Sequence, residues 1–368
     1  MKTLRVIIAG GGTGGHIFPA VAIGHALQRL QPGTELLFVG AKGKMEMEKV
    51  PQEGFRIIGL EIAGFNRSNL LKNITLPFKL IKSLMQAAGI LRDFNPDVVV
   101  GVGGYASFPI LNAAQRRGIP TLIQEQNSFA GKSNKILGRK AAAICVAYDK
   151  MEQFFPKEKL FFTGNPVRKS ITRSTITREE ALAAFQLQPD KQTLLIVGGS
   201  LGAKSINEAI AAGLSQLAAT GIQVVWQTGN LFYDQALAAA KGFRDIHVHA
   251  FIREMDKAYA AADMVISRAG ALAIAELCIV AKPVIFVPYP FAAEDHQTSN
   301  AMSLVAHNAA EMVRDSDASV ELIPKLLKLM DDAVMQDLMR NNLQRLAITD
   351  ADERIANKII ELSKTSGR

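Results

Sequence analysis

With 368 residues, 48% of them hydrophobic and 21% charged, the chain has a globular composition and the length for two domains that each bury a core. Its two cysteines, Cys145 and Cys278, lie far apart in apolar surroundings, which excludes a disulfide-stapled secreted scaffold and points to a reducing compartment. The net charge of +8 is uneven: residues 1–165 carry 21 Lys and Arg against 11 Asp and Glu, and the remainder 21 against 23. The first half thus faces something anionic; without a basic tail or interleaved aromatics, the pattern argues against nucleic acid as partner.

The chain opens on RVIIAGGGTGGHIFPAVAIGHAL, where about five apolar residues run into glycines rather than a cleavage site; a first β-strand explains this better than a signal peptide. The same order of apolar run, glycines and amphipathic stretch returns in DVVVGVGGYASFPILNAA, in TLLIVGGSLGAKSINEAIAAGL, and in ADMVISRAGALAIAELCIVA leading to KPVIFVPYP. Continuous Val and Ile runs predict parallel strands covered on both faces. Their alternation with helix-length segments predicts doubly wound α/β sheets. The series restarts near residue 190, after the turn-rich FFTGNPVRKSITRS, so two Rossmann-like domains facing each other across a cleft are expected. Ile355, Ile359 and Leu362 in the tail fall at helical spacing and predict a closing helix. No stretch reaches the roughly 18 to 20 apolar residues of a spanning helix, so a soluble or membrane-surface protein is expected.

Gly10-x-Gly12-x-x-Gly15 formally satisfies the dinucleotide fingerprint. That reading also needs an acid after the second strand. The strand is TELLFVG, followed by Ala41, Lys42 and Gly43, and the acid beside it, Glu35, opens it at the wrong end. The loop still supplies close backbone approach and N–H groups at a helix N-terminus, suited to a phosphate or developing anion. His16 follows it, and a histidine with an ordinary pKa near 6.5 can take a proton from a hydroxyl at pH 7; a local hydrogen bond at a helix start is the bland alternative.

The second glycine loop, Gly198 to Lys204 with Ser200, has the same anion-binding logic but not the spacing of a P-loop. In the helix after Ser267-Arg268-Ala269-Gly270, Glu276 stands among apolar residues. It is either hydrogen-bonded in a cleft, where it would suit two ribose hydroxyls, or on a solvated helix face. PYPFAAEDHQTSNA gathers Glu294, Asp295, His296, Gln297 and Asn300 just after a strand, which fits sugar hydroxyls better than a metal. The triplets Asp315/Asp317 and Asp350/Asp352 read as helix-capping or solvated residues, and no metal site is expected. Between Asn66 and Arg92, Leu71, Ile74, Phe78, Ile81 and Met85 form one stripe among Arg67, Lys72, Lys79 and Lys82. This is either a core helix with a solvated lysine face or a segment that binds a membrane surface reversibly.

Taken together, GGGTGGHIFPA, PDVVVGVGGYASFP, QEQNSFAG, TGNPVR, VGGSLGAKSIN, Phe251-Ile252, SRAGALAIAE, AAEDHQTSNA and the ADERIAN tail resemble the MurG family of bacterial transferases. These enzymes move N-acetylglucosamine from UDP-N-acetylglucosamine onto lipid I. The resemblance implies an α/β GT-B fold. Residues 1–163 with a returning helix in 346–368 would form the acceptor- and membrane-facing domain, 164–168 the hinge, and 169–345 the donor domain.

It also implies donor contacts from Ser200, Ile252, the segment Ala271, Leu272, Ala273, Ile274, Ala275 and Glu276, and Gln297, with Thr13, Gly14, Gly15, Asn127 and Arg168 completing the site. Gly104 and Tyr105 are implied on the acceptor side, with Glu125 as an acceptor-side or catalytic residue. Leu71, Phe78, Lys72, Lys79 and Lys82 would touch anionic inner-leaflet lipid on the cytoplasmic face of the inner membrane. The implied chemistry is inverting displacement. His16, oriented by a neighbouring carboxylate, deprotonates the acceptor C4 hydroxyl, and loop amides, Ser200 and Arg168 stabilise departing UDP. No cofactor is required, although a divalent cation that the protein does not ligate could stimulate; cell-wall synthesis or division proteins are implied partners. Two departures stand out: Gln124 where the family usually has His, and Ala273 where it commonly has Thr. A UDP-N-acetylglucosamine epimerase or a non-catalytic UDP-sugar sensor are the rival expectations.

Overall fold

The computed structural model describes residues 3–62, 76–199 and 201–365. The chain divides into two compact units, Met1–Arg168 with Thr349–Arg368, and Lys169–Ile348. In the first, the strands are β1 (Arg5–Ala9), β2 (Glu35–Ala41), β3 (Ile57–Leu60), β4 (Val98–Gly101), β5 (Thr121–Glu125), β6 (Ala143–Val146) and β7 (Leu160–Phe162). They form one sheet in the order β3-β2-β1-β4-β5-β6-β7, with every pairing parallel.

Each apolar strand feeds two cores. Val6 and Ile8 pack with Ile17, Ile23 and Leu27 on one face, while Ile7 and Ala9 pack with Leu37, Leu91 and Leu111 on the other. This is why the strand sequences show no polar alternation. Cys145 lies in the first of these layers, and burial pushes both its thiol and that of Cys278 up to about 12, so both act as small apolar residues.

The second unit carries β8 (Thr193–Val197), β9 (Gln223–Gln227), β10 (Ile246–His249), β11 (Met264–Ser267), β12 (Val284–Phe286) and β13 (Glu311–Met312), also all parallel, in the order β10-β9-β8-β11-β12-β13. In both sheets the first strand is flanked by the second and the fourth, so the order reverses beside it. Loops at that reversal leave a crevice at the carboxyl ends of the strands.

Residues 164–168 go with the first unit, where Asn165 is buried and bonded to Gln124 and to the Gln126 carbonyl. The helix Leu76–Phe94 buries Ser83, Ala87 and Leu91, four residues apart, and leaves Phe78, Ile81 and Met85 exposed at 76%, 58% and 71%. Lys79 is exposed beside them, and Lys82 meets Glu61 at 2.7 Å. Leu71 and Lys72 lie outside the described residues. No helix among the described residues is long and apolar enough to cross a membrane.

The closing helix, Ala351–Thr365, returns to the first unit. Ile355, Ala356, Ile359 and Leu362 join the core beneath the helix Gly14–Leu30. Arg29 at the end of that helix reaches Asp352 at 2.8 Å and Glu353 at 3.3 Å, so Asp352, read from sequence as capping or solvated, is a buried ion-pair partner. Ile359 is fully buried. Ile359→Ala should cost about 2–5 kcal/mol, read as a lower urea midpoint at an unchanged slope; an unmoved midpoint would show that this helix is not part of the core.

Candidate functional site

In the first unit, the loops after β1 and β4 meet at the order reversal. A Cβ on Gly104 (φ +82°) would lie 2.2 Å from the Gly11 carbonyl oxygen, so only glycine lets the two backbones cross. Thr13 precedes the helix Gly14–Leu30, and the amides of Gly14 and Gly15 belong to its first turn, where an α-helix has no internal acceptors. The ring of Tyr105, about half exposed, lies over Gly12.

His16 stands in that first turn, half-buried. Its Nδ1 is 3.1 Å from the Gly11 carbonyl and 3.2 Å from Thr13 Oγ1. A carbonyl can only accept, so the neutral ring carries its proton on Nδ1 and a lone pair on Nε2. Nε2 borders Gly103, 2.7 Å from where a Cβ there would sit. The backbone thus takes the orienting place at Nδ1 that was expected of a carboxylate. Phe18, two residues on and exposed, carries the Arg168 guanidinium 5.0 Å from its ring centroid.

At the end of β5, Glu125 is 2% exposed. Its Oε1 accepts the Asn127 amide at 3.1 Å and the Asn127 side chain at 3.4 Å; its Oε2 accepts the Gly131 amide at 3.1 Å and Asn134 Nδ2 at 2.8 Å. A carboxylate engaged by four donors holds the turn from Asn127 to Asn134 in place. Gln124 donates to Asn165 Oδ1 at 2.9 Å and accepts from Gln126, whose Nε2 also reaches the Val102 carbonyl. The departure from His at 124 is therefore a buried amide chain that links β4, β5 and residue 165.

In the second unit, the loop after β8 is locked in the same manner: a Cβ on Gly202 (φ +81°) would lie 2.0 Å from the Thr228 carbonyl oxygen. Ser200 lies outside the described residues. Gln227, 2% exposed at the end of β9, donates to the Gly199 carbonyl at 3.0 Å and accepts the Ile252 amide at 2.8 Å. It ties the glycine loop to buried Ile252. Nothing in the spacing of the sequence pointed to Gln227.

Gly270 precedes the helix Ala271–Val280. Ala271, Leu272, Ala273 and Ala275 are half-buried there, while Ile274 and Glu276 are buried. The Tyr259 hydroxyl donates to Glu276 Oε2 at 3.1 Å, so the solvated-face alternative for Glu276 falls. Gln297 Oε1 accepts the Tyr289 amide at 3.0 Å, which fixes the carboxamide. Arg268 reaches the carbonyls of Val287 and Pro288 at 3.0 Å each and Asp315 at 2.5 Å. Asp315 also receives the Ser205 hydroxyl. It is thus an ion-pair partner rather than the capping or solvated residue expected.

Residues 6–146 match the glycosyltransferase family 28 N-terminal domain and residues 193–355 its C-terminal domain. A protein of Phocaeicola vulgatus named UDP-N-acetylglucosamine–N-acetylmuramyl-(pentapeptide) pyrophosphoryl-undecaprenol N-acetylglucosamine transferase is 50% identical over the whole of both chains. Its namesake in Bacteroides thetaiotaomicron is 51% identical over 99% of each. Among solved structures, MurG of Acinetobacter baumannii superposes with a TM-score of 0.77 at 30% identity, covering 97% of this chain and 99% of that one. A UDP-GlcNAc 2-epimerase from Neisseria meningitidis shares the fold at a TM-score of 0.69 and 15% identity, over 97% of this chain and 100% of that one. Both halves of the family signature and full-length relatives at half identity lead to one conclusion: the chain belongs to glycosyltransferase family 28, among the MurG transferases.

Proposed function

We propose that the protein transfers N-acetylglucosamine from UDP-N-acetylglucosamine to the C4 hydroxyl of the N-acetylmuramoyl unit of lipid I, with inversion, giving lipid II. The observation that carries the mechanism is the His16 ring, pinned at Nδ1 by the Gly11 carbonyl with the lone pair of Nε2 at the glycine loops. Nε2 takes the C4 proton as the oxygen attacks the anomeric carbon, and the bond from that carbon to the β-phosphate oxygen breaks. A positioned general base of this kind contributes about 10²- to 10⁴-fold.

The donor is assigned to the second unit, with the helix-opening amides at Ala271 meeting the diphosphate, Glu276 gripping the ribose hydroxyls and Gln297 the sugar. Because the Ile252 amide is engaged by Gln227, base recognition there falls to the Ile252 carbonyl. Thr13, Gly14, Gly15, Asn127, Arg168 and Ser200 keep the donor roles of the resemblance, and Gly104 and Tyr105 the acceptor side. Metal ligation plays no part in this scheme. The epimerase rival rests on a shared fold at 15% identity, whereas the relatives at half identity bear transferase names.

The exposed stripe of Phe78, Ile81 and Met85 with Lys79 and Lys82 supports docking to anionic lipid. Each inserted apolar side chain contributes about 1.5–3 kcal/mol, and each lysine about 1 kcal/mol. Sedimentation with anionic vesicles should show Phe78→Ser/Met85→Ser binding at least about tenfold more weakly, with turnover of a short-chain acceptor unchanged; equal sedimentation would remove this surface from the proposal.

UDP release should require both UDP-N-acetylglucosamine and a lipid I analogue. His16→Ala should lower that release by about 10²- to 10⁴-fold while calorimetric binding of the donor survives; turnover at the parental rate would refute the base.

A further inference from the structure

Glu46 has no part in the scheme above. It opens the short helix Glu46–Gln52 just after β2, and it is 1% exposed. Its Oε2 accepts the Gly12 amide at 2.9 Å and its Oε1 the Ala41 amide at 2.9 Å. Two glycines make room for it: a Cβ on Gly11 would lie 2.2 Å from Oε1, and one on Gly40 2.5 Å from Cγ. The acid thus fastens the end of β2 to the first glycine loop. A dinucleotide-binding fold presents an acid from this region to a ribose; here both oxygens are spent on backbone.

The Gly12 N–H and the Gly11 C=O belong to one peptide group. Glu46 holds that group by its N–H, and His16 Nδ1 meets its C=O at 3.1 Å. The group is planar and stiff about its C–N bond, and hydrogen bonds in a chain polarise one another. We infer that Glu46 is the positioning residue of His16, acting through the single peptide Gly11–Gly12. The carboxylate fixes the plane of the peptide, the carbonyl fixes the ring and keeps its proton on Nδ1, and Nε2 stays an acceptor. Acid–histidine pairs elsewhere achieve the same by direct contact. This rests on His16 being the base.

In Glu46→Gln one of the two amides faces an NH₂ donor instead of an oxygen, so the side chain can no longer hold the end of β2 and the Gly11–Gly12 peptide together. Turnover should fall about 10- to 100-fold, the usual scale for a supporting hydrogen bond, with KM for both substrates within about threefold. In a His16→Ala background the same substitution should cost under about twofold, because residues that act as a unit are not additive. Gly40→Ala, which displaces Glu46 from the strand side, should reproduce both results and serves if Glu46→Gln does not fold.

Parental turnover in Glu46→Gln alongside a crippled His16→Ala would overturn the inference and leave the base standing. An equal loss in both backgrounds would reduce Glu46 to a structural role and overturn it as well. Parental turnover in His16→Ala would bring down base and inference together.

Discussion

The crossing of two backbones at Gly11 and Gly104 is the constraint on which the first unit turns. A parallel sheet whose order reverses beside β1 sends the loops after β1 and β4 to the same place, and they can share it only because position 104 carries no side chain at the contact. The contact holds the Gly11 carbonyl in position. From that carbonyl follow the orientation of His16, the tautomer of its ring and the direction of its basic nitrogen. The amides of Gly14 and Gly15 follow from the same junction, because the helix begins where the loop ends.

The second unit repeats the device with different fasteners. Gly202 closes against the Thr228 carbonyl, and Gln227 stitches the loop to Ile252. Arg268 gathers two carbonyls and Asp315 at the end of β11. In each unit a buried polar side chain engages backbone groups that would otherwise be costly to leave unpaired. Glu125, Glu46 and Gln227 are of this kind, and half-buried Arg268 acts likewise: they hold the frame from which reacting groups project.

The parts legible in the residues were those with local causes. Unbroken Val and Ile runs announce strands covered on both faces, glycines after them announce phosphate-type loops, and Ile355, Ile359 and Leu362 announce a helix. Groups whose meaning depends on distant partners were misread or unseen. Asp315 looked solvated until Arg268, 47 positions away, was seen to meet it. Glu46 lies five residues past the end of β2, behind a turn that no periodicity marks, and so the region after that strand read as lacking an acid.

By itself the sequence determined the two α/β units, the glycine loops at their strand ends, the candidate base and the family, because strand burial, loop chemistry and ordered motifs are properties of contiguous residues. Only the tertiary structure decided what each polar side chain is engaged with. It engaged Glu125 with four N–H donors, decided between the two readings of Glu276 by burying it against the Tyr259 hydroxyl, and set Glu46 behind the peptide that meets His16. The reason is physical: a buried hydrogen bond is defined by which atoms come within about 3 Å, and that follows from how the chain crosses itself, not from the order of its residues.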